Sequence, residues 1–312
     1  PSGTDVPDFF TADGERGMSF GNSHLYVTNN NDKILIMNAD DGQVVGELDM
    51  TGVDGGSPKI SDIEVSNGQI LACNTVEWTS DGGGEPTTFK IYRWRDEDAQ
   101  PEVFLEYTNT QYRMGDSFTV VGDIETNAVI MTVFGRKFLN PADRGDIVFL
   151  WRVTDGVLDN EPQLIQVQGV PTLAKLGSRP HAQMLDVDDE SILVNANDIE
   201  ITQVDLQGTF EGRLPNLSNQ LFDGFTSYFE VFTFLDRTVL ITAFPRSARE
   251  SRLIVMDITD GITNVEPEDV VLSENLMAGA DEIANVNASG AVAFNKLDDN
   301  NVEVYVLITN QA

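Results

Sequence analysis

"VTDGVLDNEPQLIQV" spans residues 153–167, and "ITDGITNVEPEDVVL" spans residues 258–272. Each has Thr-Asp-Gly, four variable residues and then Glu-Pro. One turn written twice, so far apart, points to a repeated structural unit. Asp-Gly suits the positive φ of a tight hairpin turn, and Thr and Asp bond local backbone groups.

Working outward from these turns, no apolar stripe of 3.6-residue period runs past two turns of helix. Short runs rich in Val, Ile, Phe and Thr recur instead, bounded by Gly, Asp and Asn, as strands are. They fall into a four-beat cycle, shown whole by "KISDIEV", "QILACNT", "TFKIYRW" and "PEVFLEY". The next units read "DSFTVVG", "AVIMTVF", "DIVFLWRV", "PQLIQV"; then "AQMLDV", "SILVNA", "IEITQVD", "TFEGRL"; then "YFEVFTF", "TVLITAF", "RLIVMDI", "EDVVL". An earlier unit is "RGMSFG", "HLYVTN", "KILIMN", "QVVGEL", and a last one has three runs, "DEIANV", "AVAFN" and "VEVYVLI". Four-stranded units of roughly fifty residues predict a β-propeller. The expectation is one all-β domain over residues 1–312, with six blades, or seven where long loops hide strands. "DVPDFFTAD" (residues 5–13) is expected to complete the last blade, since ring closure removes exposed sheet edges. Deleting residues 1–14 should then lower the melting temperature; a truncated chain as stable as the full one would remove this closure.

The bulk composition narrows the function. Hydrophobic residues make up 41% of 312, enough for packed cores. Lys plus Arg total 19 against 51 Asp plus Glu, a formal net charge of -32. Such a chain repels nucleic acid and anionic membrane. No apolar run approaches the roughly 18 residues of a membrane helix. The opening "PSGTDVPDFF" reads as a mature chain whose leader, with any lipid anchor, has been removed. Cys73 is the single cysteine, within the apolar run "QILACNTV", and is expected to be buried and unreactive.

"FKIYRWRDEDAQPEVFLEY" (residues 89–107), followed by "YRMGDSFTVVGD" (residues 112–123), resembles an uncharacterised β-propeller family of Bacteroidota secreted and surface lipoproteins. The resemblance rests on Tyr92-Arg93-Trp94, the Pro101–Tyr107 strand, and Arg113 with Gly115-Asp116. It implies an extracellular or cell-surface location and a carbohydrate context, and it carries over no catalytic residue.

Motifs of chemistry are scarce. There are two histidines, His24 and His181, and no HExxH, GxSxG or Walker A pattern. "DVDDES" (residues 186–191) has Ser191 where an EF-hand needs glycine. Calcium is the one cofactor left open. The few basic residues are more telling. "FGRKFLNPADRG" carries Arg136, Lys137 and Arg144; "AKLGSRPH" carries Lys175, Arg179 and His181; "FPRSARES" carries Arg246 and Arg249. In a propeller these segments of three consecutive blades share a face, joined by Trp78 and Tyr112. Seven of the 19 basic residues would form a positive rim on an acidic chain. The expected function is a non-catalytic binding or scaffold protein of the cell surface, gripping an acidic glycan or a partner protein. Arginine forks match carboxylate and sulfate, and aromatic rings stack on sugars. The alternatives are a polysaccharide lyase using Arg179, His181 and Tyr112, or a calcium-dependent lactonase-like hydrolase using Asp116, Glu230 and Glu282.

Overall fold

A computed structural model describes residues 15–29, 33–76, 87–109, 113–134, 146–170, 180–196, 199–215, 228–247, 250–274, 276 and 290–308. Within them the chain is all β apart from two 3₁₀ turns, Ile262–Asn264 and Pro267–Asp269. The first sheet is β1 (Glu15–Gly21), β2 (His24–Asn29), β3 (Lys33–Asn38) and β4 (Val44–Glu47). The second is β5 (Asp62–Ser66), β6 (Gln69–Cys73), β7 (Thr87–Trp94) and β8 (Glu102–Asn109). The third is β9 (Phe118–Gly122), β10 (Ala128–Val133) and β11 (Ile147–Thr154), edged by β12 (Val157–Leu158) and β13 (Gln163–Gln166). The fourth is β14 (His181–Gln183), β15 (Ser191–Ala196), β16 (Ile199–Asp205) and β17 (Phe210–Arg213). The fifth is β18 (Phe229–Phe234), β19 (Arg237–Ser247), β20 (Glu250–Asp257) and β21 (Val270–Leu272). A two-stranded sheet, β22 (Gly290–Lys296) and β23 (Val302–Ile308), follows. All pairings are antiparallel, and the sheets succeed one another around an axis in a β-propeller arrangement.

The cores lie between the sheets. On β10, Val129, Met131 and Val133 pack toward the fourth sheet, whereas Ala128 and Ile130 pack toward the second. Successive strand residues point to opposite faces, and both faces of this strand are covered, so every position is buried and all but Thr132 are apolar, the Thr132 hydroxyl donating to the Ser117 carbonyl at 2.7 Å. Phe89, Phe149 and Trp151 fill the gap between the second and third sheets, with Phe89 and Phe149 stacked against Trp151 at 6.1 and 6.2 Å. The ring closes through one cluster, in which Ile241 and Phe232 of the fifth sheet meet Ala291 and Val292 of β22 and Met18 and Val27 of the first sheet.

Two expectations change. "AVAFN", expected as a second strand, is β22, which among the described residues packs against β1, β18 and β19 and lines the axial cavity. "DEIANV" and the proposed closing strand, residues 5–13, lie outside the described residues. The two Thr-Asp-Gly turns, read as one hairpin turn, fold in two ways. Asp155 and Gly156 both have positive φ, 51° and 75°, and lead straight into β12. In the second copy Gly261 has φ 96°, and Asp260 is not left-handed. There the chain enters a 3₁₀ turn that buries Ile262 and Val265 against the fourth sheet, whereas Val157 at the matching place is 68% exposed. Tertiary burial, present at one copy only, decides the geometry. Finally, "FPRSARES" is less a loop than a continuation of the β19–β20 ladder, with Pro245 opposite Ser251 and Ser247 opposite Glu250.

Blades are clasped near the axis. The Gly115 carbonyl accepts hydrogen bonds from Ser61 Oγ at 2.5 Å and Thr75 Oγ1 at 2.9 Å. Gly115 has φ +83°, and a Cβ there would stand 1.9 Å from the Asn74 carbonyl oxygen. Gly115→Ala should therefore cost about 2–3 kcal/mol and lower the melting temperature by roughly 4–8 °C. Gly52→Ala, at φ +89° with nothing within 4 Å, isolates the backbone strain and should cost less. Equal losses in thermal melts would show that the clash at Gly115 has no effect.

Candidate functional site

The strands nearest the axis carry polar residues at alternate positions. Asp62 and Glu64 share one face of β5; Gln183 lies on β14, Glu230 on β18 and Ser19 on β1. All of these but Asp62 border an axial cavity of about 240 Å³, whose lining includes Ser19, Glu64, Gln183 and Glu230 among apolar side chains such as Phe20, Val120 and Phe294. Among the described residues, its charged lining residues are Glu64 and Glu230.

Each polar group is fixed from a neighbouring blade. The Val231 N–H donates to Gln183 Oε1 at 3.0 Å, and Gln183 Nε2 donates to Glu230 Oε2 at 2.9 Å. The Phe118 N–H donates to Asp62 Oδ2 at 2.9 Å. Burial pushes the Asp62 carboxyl up to about 7, against the pull of the Phe118 and Ile63 N–H groups. Burial pushes Glu230 up to about 8; the Gln183 amide opposes this and the charge of Asp62 adds to it. Glu64 is held well above the usual carboxylate range by burial first, then by the charges of Glu230 and Asp62, with the hydroxyls of Ser19 and Tyr228 in opposition. Desolvation and like charge both disfavour ionisation, so these carboxyls compete for protons near neutral pH.

The sequence is described by a family model named Domain of unknown function (DUF8500), which matches residues 27–195. The chain belongs to this family. None of the curated proteins matches it. The crystal structure of a DUF4623 family protein from Bacteroides eggerthii DSM 20697 superposes with a TM-score of 0.69 at 16% identity, over 99% of this chain and 71% of that one. At that identity the likeness concerns the fold alone. The structure of U3-55K aligns with 72% of this chain and 60% of its own, at 13% identity and a TM-score of 0.41, and carries no argument.

The DUF8500 match runs from β2 to β15 and so contains Asp62, Glu64, His181 and Gln183, whereas Glu230 lies beyond it. Among residues expected at a ligand rim, Trp78, Tyr112, Arg136, Lys137, Arg144, Lys175, Arg179 and Arg249 lie outside the described residues, as does Glu282. Arg246 sits in the β19 extension. His181, expected on the same face, is wholly buried at the start of β14. Its ring lies 4.3 Å from that of Tyr228 and 4.7 Å from that of Phe229, and burial lowers its pKa to about 3. A neutral, enclosed imidazole is ill placed to move protons for a lyase. Asp116, considered as a calcium ligand, is gripped by Arg113 through Nε at 2.7 Å and Nη2 at 2.5 Å. Among the described residues no group of three or more His, Cys, Asp or Glu is arranged to hold a metal ion. Cys73 is buried, and desolvation raises its thiol well above the ordinary value. Sequence reading singled out Glu230 but passed over Asp62 and Glu64. The signal was present in "SDIEVS", two acids spaced to share one face of a first strand.

These pKa values set a pH dependence. Asp62 and Glu230 bind protons more tightly in the folded chain, at about 7 and 8, than at their ordinary 3.8 and 4.5. Their contribution to stability is complete below the lower values and lost as pH rises through the upper ones. His181 has the opposite sign, because its folded value near 3 lies below 6.5, so it favours unfolding only as pH falls below 6.5. From pH 6.5 to 8 the carboxyls act without it, and the melting temperature should fall. Asp62→Asn and Glu230→Gln should each flatten that fall, by up to about 1.4 kcal/mol per pH unit. Unchanged slopes in both variants would show that these carboxyls are ionised throughout.

Proposed function

We propose that this chain is a non-catalytic binding propeller of six blades, carried outside the cell as a secreted or surface lipoprotein, that grips an acidic glycan or an acidic partner protein at its basic rim. The observation that supports this is the β19–β20 extension. At 11 residues β19 is the longest strand described, and its ladder continues through Pro245 to Ser247. Arg246 stands at the bulge between the paired residues Pro245 and Ser247, so its backbone is held on both sides and little conformational entropy is lost when a ligand docks. Several described arginines elsewhere are engaged by nearby carboxylates, Arg113 with Asp116, Arg93 with Glu102 and Arg237 with Asp257. Chain charge of -32 repels an anion at long range, but salt screens that over about 8–10 Å, whereas bidentate contacts act at close range.

Hydrolysis in the axial channel is the second reading, and Glu64 with Glu230 favours it. Two carboxyls that share protons in one cavity match the acid and base roles of glycoside cleavage.

Retention on immobilised polygalacturonate tests the first reading. The full chain should bind at low salt and elute as salt rises. Arg246→Ala combined with Arg179→Ala should weaken binding by about tenfold with the melting curve unchanged. Equal retention of the double variant removes the rim as the site. Release of unsaturated or reducing sugar ends from the polymer would replace binding with catalysis.

A further inference from the structure

We propose that the hairpin tips following β14, β18 and β22 form a docking surface for a basic, leucine-bearing segment of a partner protein. The surface lies at the opposite end of the strands from the rim, since Leu235 precedes β19 and Arg246 stands near its far end. It does not depend on the rim.

One dipeptide recurs at three successive sheets. Leu185-Asp186 follows β14, Leu235-Asp236 follows β18 and Leu297-Asp298 follows β22. The leucines are 38%, 57% and 54% exposed, and they are three of the five exposed leucines among the described residues. The turns after β1 and β5 are polar, Asn22-Ser23 and Asn67-Gly68, and the connection after β9 buries its Ile124. Exposed leucine is thus confined to one arc of the ring. Single apolar residues are ordinary on a surface, whereas a group of them marks an interaction site.

The tips stand together. Phe232 of β18 stacks on Phe294 of β22 at 4.0 Å, and Lys296 Nζ lies 5.8 Å from the centre of the Phe232 ring. The two strands therefore reach their tips side by side. Leu185 borders the axial cavity together with Val231 and Phe294, which brings the β14 tip to the same mouth.

Leu235 is held there against the preference of its backbone. Leu235 and Asp236 have φ 51° and 60°, in a tight turn closed by Phe234 opposite Arg237. Asn22-Ser23 and Asn67-Gly68 make turns of the same hand, with φ 53° and 67° and φ 50° and 75°. Asparagine and glycine suit that geometry, whereas the Cβ of leucine is crowded in it. Strain of this kind persists where the residue serves something beyond the fold.

Charge chooses the occupant. Asp186, Asp188, Asp236, Asp298 and Asp299 are exposed around the leucines, while Arg237 is paired with Asp257 and Lys296 lies over Phe232. The same face of a second copy would bring like charge, and anionic lipid is repelled. The chain charge of -32, which opposes an anion at the rim, draws a basic segment in at long range, and apolar side chains on that segment cover the leucines.

Fluorescence anisotropy of a labelled amphipathic lysine–leucine peptide titrated with the full chain tests this, with a lysine–serine peptide of equal charge and a glutamate–leucine peptide as comparators. The lysine–leucine peptide should bind saturably, the lysine–serine peptide at least about tenfold more weakly, and the glutamate–leucine peptide not at all. Leu235→Asn should weaken binding by about tenfold and yet raise the melting temperature by about 2 °C, because asparagine accepts the turn. Leu297→Ser should weaken binding similarly. Leu164→Ser, on β13 at 51% exposure and outside the arc, should leave it unchanged. The proposal is overturned if the lysine–serine peptide binds as tightly, if Leu164→Ser acts like Leu297→Ser, or if both arc variants bind as the parent chain does. An oligomer of the full chain in sedimentation equilibrium that Leu235→Asn dissolves would also overturn it, giving the surface to a second copy. Polygalacturonate retention, unchanged in the arc variants, separates failure here from failure at the rim.

Discussion

The ring depends on burial of each sheet's second strand on both faces at once. A strand of this kind cannot satisfy its side chains within one sheet, because alternate residues leave the sheet in opposite directions. On β6, Ile70 and Ala72 join the core shared with the first sheet, whereas Leu71 and Cys73 join the core shared with the third. Each blade therefore needs a neighbour on either side, and the energetically stable object is the closed circuit. The cluster joining the fifth sheet, β22 and the first sheet meets the same demand where the chain's two ends come together.

This constraint explains what was legible in the sequence and what was not. Doubly buried strands have no solvent-facing side, so "QILAC" and "AVIMTV" stand out as predominantly apolar runs, with Gln69 and Thr132 their polar members. Counting them located the blades, and the four-beat order was correct for the five larger sheets. In the last unit, β22, "GAVAFNK", is as apolar as a second strand and borders the axial cavity, and the run expected before it lies outside the described residues. Ala291 and Ala293 there pack in the cluster that holds Met18 and Val27 of the first sheet, a relation between distant parts of the chain that no local pattern carries. Turn geometry failed for a related reason, since Ile262 and Val157 occupy the same place in the repeated motif and only the former is buried.

Site residues were harder to read than the fold. Basic side chains drew attention because they are rare on this chain, and six of the seven Lys and Arg expected at the rim fall outside the described residues. Asp62 and Glu64 were hidden among 51 acids. Their significance comes from depth, with Asp62 at 2% exposure and Glu64 at 8%, and depth follows from a strand's radial position in its blade. A charged pair at alternate positions in a first strand is the pattern that connects sequence to depth here. His181 illustrates the converse, a residue type suggestive of chemistry that packs as an aromatic spacer between β14 and β18.

The clasps near the axis run one way. Ser61 and Ser66 of the second blade donate to the main-chain carbonyls of Gly115 and Gly122 in the third. Ser117 and Thr119 of the third donate to those of Pro180 and Ala182 in the fourth. In each of these four a side chain on the earlier blade meets a peptide group on the later one, so at these joints the receiving blade is recognised by its backbone path, whereas Gln183 adds a side-chain contact to Glu230 at the next joint. The circuit thus has a polarity, and a blade's outgoing side chains are specified more tightly than its incoming face. A lineage built on such joints can duplicate or exchange a blade and keep the connection on its receiving side, because any chain that follows the same backbone path presents the same carbonyls.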